Sequence, residues 1–569
     1  MRRDVHRLTD TVYDLLIIGG GIYGACAARD AVLRGLSVAL VDKGDFGHAT
    51  SANSMKIIHG GFRYLQHADV ARIRESIQER RTLLRIAPHL VRPLPCIMPT
   101  YGHGITGPEA LRVALTVYDA LGADRNRGLT DASRRVPRGR LLSRRECLRL
   151  VPGVRGEGLT GGAVWYDAQM LNSERLTLAF VRSAAQAGAA VANYVHVTGL
   201  LREARRVVGV DATDALSGEP LQIRARLVLN TSGPWMSRVA DGAQPRSFAA
   251  PQFCKTLNLV IRRPIVTTYA LAVSTPSGAH DRLMDHDALI RRKARFLYIS
   301  PWRGRAVIGS PHTRYEGDPD ALHTGAEEVQ GFLEEINHAY PAANLTPDDV
   351  SFVHQGLLPM SPRASANGAV ELLKKPMVRD HAGEGCENLI SVLGVKYTTA
   401  RLVAERTVDL VCRRLGRRSP QSASAERPVC GGAIDRLETF LSQAVAARPR
   451  GVSAQTIQHL AEQYGTEYGS VLRIVSEDPA FGQPLSGATP VIGAEVVHAV
   501  RFEMAQTLCD VVFRRTDLGS AGDPGELAIW VAAAIMAREC AWSPDRKTRE
   551  IETVQTLFGT HRLTSCRSR

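Results

Sequence analysis

Aromatic residues are scarce in this 569-residue chain, at 6%, which argues against a stacking platform for unpaired bases. No run of about 18 apolar residues is present, so no segment reads as a membrane-spanning helix. The ten cysteines form no CxxC and no Cys/His cluster with metal-ligand spacing. That excludes a zinc or iron–sulfur site and suits reduced thiols in a cytoplasmic-type compartment. Met1–Arg7 is basic but lacks the apolar core of a secretory leader. Internal repeats and low-complexity tracts are absent too, so disorder is set aside for most of the chain.

At 44% hydrophobic, the chain is long enough for two or three domains. Its formal charge is +14, a balance that can serve nucleic acid, anionic lipid or an anionic substrate. Arginines cluster at Arg134 to Arg145, Arg291 to Arg295 and Arg413 to Arg418. No nucleic-acid motif accompanies them. Two explanations stay open: a peripheral anionic membrane surface, or an arginine-rich composition with scarce lysine.

The densest signal begins at Tyr13. A strand-like run, Tyr13-Asp14-Leu15-Leu16-Ile17-Ile18, leads into Gly19-Gly20-Gly21-Ile22-Tyr23-Gly24, a small-residue helix through Leu33, and a second apolar run, Val38 to Val41, ending at Asp42. Gly19 permits the tight turn, Gly21 lets backbone approach a pyrophosphate, and Gly24 allows close helix–strand packing. Asp42 can accept from ribose hydroxyls. The turn alone admits NAD as well as FAD. The next segment favours FAD, because Thr50, Ser51 and Ser54 can line a pyrophosphate and ribityl chain.

Ser54-Met55-Lys56-Ile57-Ile58-His59-Gly60-Gly61-Phe62-Arg63-Tyr64-Leu65 matches S-x-K-x-I-H-G-G-x-R-Y-L and resembles the FAD-dependent glycerol-3-phosphate dehydrogenases, within the D-amino-acid-oxidase-like flavoproteins. The similarity continues at Leu229-Asn230-Thr231-Ser232-Gly233-Pro234-Trp235, at Gly309 to Pro319, at Ile390 to Thr399, and at Ala494 to Gly519. The resemblance implies an α/β (α+β) flavoprotein of the two-dinucleotide type: a Rossmann-like FAD domain, an antiparallel-sheet substrate or cap domain, and a C-terminal helical domain. It implies bound FAD held by Gly19, Gly21, Gly24, Asp42, Thr50, Ser51, Ser54, His59, Gly60, Gly61, Val197, Ser232, Gly233, Gly394 and Lys396. The reaction it implies is oxidation of sn-glycerol 3-phosphate to glycerone phosphate, with electrons passed to quinone on the inner face of the cytoplasmic membrane. No nucleic acid is expected as a partner, and a homodimer is left open.

Flavin oxidation of a secondary alcohol needs hydride delivery, removal of the hydroxyl proton, and stabilisation of negative charge on the reduced ring. Lys396 and the donors around Gly394 suit the third task. Arg63 and Arg379 are the candidates for the substrate's anionic group, since the guanidinium fork donates two hydrogen bonds to phosphate; Tyr64 joins them in the catalytic set. Two positions depart from the family pattern. Gly356-Leu357-Leu358-Pro359 places Leu358 where an arginine is usual, and Lys255-Thr256-Leu257-Asn258 places Asn258 where a histidine is usual. Arg314 is a candidate to replace the first. His354, His312 and His59 are candidates for the second, with His354 favoured. The alternatives are a related dehydrogenase or oxidase of another hydroxy or amino compound, or a flavin-bound protein without turnover.

The segments divide as 10–80, 191–249 and 386–417 for the FAD domain, 81–190 as a helical or substrate-domain segment, 250–385 as the antiparallel substrate domain, 418–428 as linker, and 429–569 as the helical domain. Asp69 to Pro88 reads as a charged helix stopped by proline, Val191 to Val197 as a strand. Val497, Val500, Met504, Leu508, Val511 and Val512 recur at helical steps and read as one core-facing stripe.

Overall fold

The computed structural model describes residues 1–104, 107–241, 251–276, 294–362, 370–418 and 420–561. Arg291 and its two successors in the second arginine cluster lie outside the described residues, as do Ser419 of the linker and parts of segments 191–249, 250–385 and 429–569.

Leu15–Ile18 is buried at every position, as a strand covered on both faces must be. It sits inside a six-stranded sheet in the order Met377–Asp380, Leu389–Leu393, Val228–Asn230, Leu15–Ile18, Val38–Val41, Ala190–Ala192. All neighbours are parallel except Met377–Asp380, which runs antiparallel along one edge. Leu15 and Ile17 face a core made with the helices Ile22–Leu33, Ser173–Gln186 and Ala400–Arg414. Leu16 and Ile18 face the opposite core, shared with a three-stranded antiparallel sheet, Val195–Glu203, Arg206–Asp214 and Pro220–Arg224.

Val191 to Val197 is therefore two strands in two sheets rather than one. The chain turns at Tyr194, with φ 57°, while Asn193 Nδ2 bonds Asp45 Oδ1 at 2.9 Å and Met504 O at 3.0 Å. Asn193, a residue that favours turns, is the one local signal of that break, and the β-favouring residues on both sides of it mask it. The Asp69-to-Pro88 helix is present as Val70–Ile86, with the Asp69 side chain accepting from Arg72 N.

A nine-stranded sheet covers the flavin-type domain. Val350–Pro359, Phe253–Ile261, Arg305–Tyr315, Ala294–Trp302 and Ala270–Pro276 are antiparallel neighbours, Val91–Tyr101, Leu159–Met170 and Ile57–Ile58 extend the sheet, and Arg140–Ser143 pairs with Leu159–Met170. Two long strands thus come from segment 81–190. Pro93, Pro95 and Pro99 mask the first of them in sequence, because proline removes ladder donors and demotes a strand reading.

The apolar stripe near the C-terminus is buried at Val497, Met504, Leu508, Val511 and Val512, but it is not one helix. Gly493–Glu503 ends at Met504, with φ 61°, and Thr507 with Asp510 caps a new start at Leu508. Periodicity reports which side chains are apolar; it does not report a local reversal of backbone.

Loop 49–56, which joins the two sheets, is fixed by a buried charge. Lys56, at φ 58°, sends its ammonium to Glu174 Oε1 at 2.8 Å, Ser173 Oγ at 2.9 Å and Ala52 O at 2.6 Å. Both side chains are almost wholly excluded from water. Removing one partner leaves an uncompensated buried ion, whereas removing both removes the penalty too. Glu174→Ala should lower unfolding free energy by about 3–5 kcal/mol in denaturant titration, while Lys56→Met with Glu174→Leu should lie within about 1–2 kcal/mol of wild type. A double variant as unstable as the single one would contradict this.

Candidate active site

The two sheets enclose a cavity of about 620 Å³, within the size range of ligand sites. Val197, Trp235 and Arg238 line it, and so do His59, Tyr64 and Lys396. Helix Ile22–Leu33 begins at its wall, where Gly21, Ile22 and Tyr23 are lining residues. Its N-cap, Gly21, has no side-chain cap, leaving the dipole and N–H groups for an anion. Ile22 N donates to Ser51 Oγ at 3.0 Å.

Close backbone approach explains the glycines. A Cβ on Gly24 would fall 1.9 Å from Gly19 O and 2.6 Å from Thr231 Oγ1. Thr231 locks the same corner by donating to Ile18 O at 2.9 Å and Gly19 O at 2.8 Å. Gly19 itself has φ +100°, and a Cβ there would meet Thr231 O at 2.8 Å. Asp42 caps the turn by accepting from Gly20 N at 2.6 Å and Gly44 N at 2.9 Å. Burial raises its pKa, and its carboxylate lines the cavity.

Tyr23, which no motif marks within the glycine turn, holds the far wall. Its hydroxyl donates to Lys396 O at 2.8 Å and accepts from Val395 N at 3.1 Å and Lys396 N at 3.2 Å. A Cβ on Gly394 would lie 1.9 Å from the Tyr23 ring, so glycine is required there. The Lys396 ammonium rests 3.9 Å from the Tyr64 ring centroid. Burial, then Arg72 and Arg63, push its pKa down to about 7.

His59 lines the cavity with its side chain 44% exposed, and its Nδ1 faces Asp167 Oδ2 at 3.4 Å. Asp167 is buried and also accepts from Gly60 N at 2.5 Å and Trp165 Nε1 at 3.4 Å. Burial pushes its carboxyl up, but His59, Arg80 and Gly60 outweigh that and hold it below the usual carboxylate range. Asp167 belongs to no motif and escapes a reading by motifs, although an isolated acid inside the apolar strand Leu159–Met170 is itself a signal, because a buried charge needs partners.

Gly19, Gly21, Asp42, Thr50, Ser51, Ser54, His59, Tyr64, Val197, Ser232, Gly233, Gly394 and Lys396 all line the cavity. Eight other predicted residues do not. Gly24 acts behind the wall, and Gly60 is confined by Arg80 and Tyr118, whose atoms a Cβ would meet at 2.1 and 2.2 Å. Gly61, at φ +88°, turns the chain against Ile73 and Ser76. Arg63 is exposed outside the cavity. Arg379 lies on the edge strand, paired with Glu384, and does not line the cavity. His354 is buried behind Asn53, its Nδ1 at 3.1 Å from Asn53 Oδ1 and its ring 4.9 Å from that of Phe352. It does not reach the reacting space. Arg314 pairs with Glu316 at 2.8 Å, and neither it nor His312 lines the cavity, whereas Leu358 and Asn258 do.

These residues fit FAD. The glycine corner is a cradle that any Cβ would fill, the helix start without a side-chain cap from Gly21 suits a pyrophosphate, Asp42 suits a ribose, and Lys396 adds a basic group to the cavity wall. Among the described residues no cluster of His, Cys, Asp or Glu is arranged to hold a metal, and no helix is long and apolar enough to cross a membrane.

Comparison with known proteins agrees with the geometry. Residues 14–410 match the FAD dependent oxidoreductase family, and residues 422–547 match the C-terminal domain of alpha-glycerophosphate oxidase. A glycerol-3-phosphate dehydrogenase of Synechocystis sp. is 33% identical over 97% of each chain. An aerobic glycerol-3-phosphate dehydrogenase of Staphylococcus epidermidis is 29% identical over 90% of this chain and 87% of its own. The solved glycerol-3-phosphate dehydrogenase of Bacillus halodurans, complexed with FAD, aligns with a TM-score of 0.75 and 25% identity over 98% of this chain and 96% of that one. A glycine-cornered dinucleotide cleft, a sheet-capped redox end and a matching helical C-terminus thus occur together, and the chain belongs to the family of FAD-dependent glycerol-3-phosphate dehydrogenases.

Proposed function

We propose that this chain oxidises sn-glycerol 3-phosphate to glycerone phosphate and passes the electrons to a quinone at an anionic membrane surface. The observation that carries the chemistry is that His59, Tyr64 and Lys396 line one cavity, with Lys396 seated on Tyr64 and His59 N bonded to Thr398 Oγ1, two residues after Lys396, at 3.1 Å. Bound FAD supplies a hydride acceptor. With Nδ1–H directed at Asp167, His59 presents Nε2 to the substrate hydroxyl and takes its proton. Asp167 fixes the ring and stabilises the imidazolium that forms. Lys396, seated on Tyr64, offers positive charge to the reduced ring and to the substrate's anionic group. The net charge of +14 supports attraction to anionic lipid and anionic substrate alike.

Leu358 favours a second reading. Apolar Leu357, Leu358 and Pro359 form part of the cavity wall, so a phosphate finds no guanidinium there. A hydroxy compound with a smaller anionic group, or none, suits such a wall.

His59→Asn should keep FAD but slow substrate-driven flavin reduction by about 10²–10⁴-fold in stopped-flow absorbance, while His354→Asn should have a much smaller effect. Equal losses in both variants would remove His59 from its role.

Leu358→Arg should lower KM for glycerol 3-phosphate by about tenfold, because the new guanidinium donates one charge-assisted hydrogen bond to the phosphate. Arg379→Ala should change kcat/KM less than about threefold, because Arg379 is engaged by Glu384 outside the cavity. A large loss in Arg379→Ala, with no improvement in Leu358→Arg, would return the anion site to Arg379.

A further inference from the structure

The C-terminal helices follow a flavoprotein domain that ends at residue 410, and what they grip is the cofactor loop. Asp45 lies between Asp42, which caps the glycine turn, and Gly47 to Ser51, which line the cavity. Its carboxylate is fully buried and takes Arg515 Nη1 and Nη2 at 2.6 Å each and Arg514 Nε at 2.5 Å. Asn193 completes the site by donating to Asp45 Oδ1 at 2.9 Å and to Met504 O at 3.0 Å, so it bonds both domains at once. The backbone carbonyl of Asp45 meets His48 Nδ1 at 2.7 Å, and His48 faces the cavity.

A second grip acts on the helix beneath this loop. Glu503 holds Arg175 at 2.6 Å and Asp517 holds Asn172 at 2.6 Å, fixing the start of Ser173–Gln186. Ser173 O and Thr177 Oγ1 hold the Tyr397 hydroxyl at 3.0 and 2.9 Å, and Tyr397 lines the cavity. A Cβ on Gly47 would touch Thr177 at 3.2 Å, so loop and helix are in contact. Both grips hold elements behind the cofactor cleft from the same outside domain.

We infer that the C-terminal domain braces the FAD cradle, with Asp45, Arg514 and Arg515 as positioning residues for the cofactor loop. Without the arginines, Asp45 is an unpaired buried carboxylate, and the loop must open to hydrate it. That opening displaces His48 and Gly47 from the cavity wall. The inference rests on FAD occupying this cleft and is independent of the substrate.

The test uses full-length protein stripped of flavin and retitrated with FAD at a temperature well below the apoprotein's melting point. Affinity is read by flavin fluorescence, release by its recovery, and the environment by the visible spectrum. Asp45→Asn and Arg515→Gln should each weaken FAD binding by about tenfold or more and speed its release. The double variant should be no worse than either single one, because one interaction is lost in each case. Arg514→Gln keeps the bidentate pair and should lose about threefold; it serves if the buried variants fail to fold. Arg501→Gln, whose partners Glu477 and Glu539 lie within the C-terminal domain, should bind FAD as wild type does. Wild-type FAD affinity, release and spectrum in folded variants of Asp45, Arg515 or Arg514, whatever their melting points, would show that the cluster only joins domains and would overturn the inference. Failure of wild-type protein to bind FAD at all would instead remove the cofactor assignment.

Discussion

Tyr23 ties together parts of the chain more than 370 residues apart, and the redox end of the site depends on that bond. Its ring occupies the space a side chain at residue 394 would need, and its hydroxyl satisfies three backbone groups of the Val395–Lys396 turn. Burial pushes its pKa up to about 12, so it stays a neutral donor and acceptor at any working pH. The same helix meets the glycine corner at Gly24 and shares its core with Ser173–Gln186 and Ala400–Arg414. One short helix therefore sets the distance between the phosphate end and the redox end.

Around that helix, charge is buried in matched groups: Lys56 with Glu174, Arg401 with Glu79, Arg175 and Arg182 with Glu503, and Arg514 and Arg515 with Asp45. Such pairs contribute less to stability than to a single arrangement, because each penalises any structure that parts the partners. Lys396 is the contrast. It is buried beside Arg72 and Arg63, and its proton affinity falls accordingly. A lysine held near its protonation midpoint at the cavity wall takes up a proton when an anion binds beside it.

The glycine turn, the parallel strands and the hydroxyl loop were legible because each rests on local backbone chemistry. Gly19 needs a positive φ, Gly24 needs a missing side chain, and Leu15–Ile18 reads as a continuously buried strand. Tyr23 and Asp167 were not legible, since what distinguishes each is a partner far away in sequence. His354 and Arg379 show the opposite failure. Their residue types suit the chemistry, but strand register turns His354 toward Asn53 and Phe352, and Glu384 engages Arg379 at the sheet edge. The C-terminal stripe identified core correctly and its continuity wrongly, because a reversal at Met504 leaves the apolar spacing intact.

Leu358 and Asn258 both line the cavity, so the two departures from the family pattern fall on its wall. On the proposed reading, His59 with Asp167 replaces the base that Asn258 cannot be, and Lys396 serves the substrate's anionic group. The most direct measurement is an anaerobic titration of the FAD-loaded protein with glycerol 3-phosphate, following visible flavin absorbance and assaying glycerone phosphate. Flavin bleaching with an equivalent amount of glycerone phosphate formed is the expected result. Bleaching by dithionite alone, with the flavin unchanged at saturating glycerol 3-phosphate, would contradict the proposed reaction.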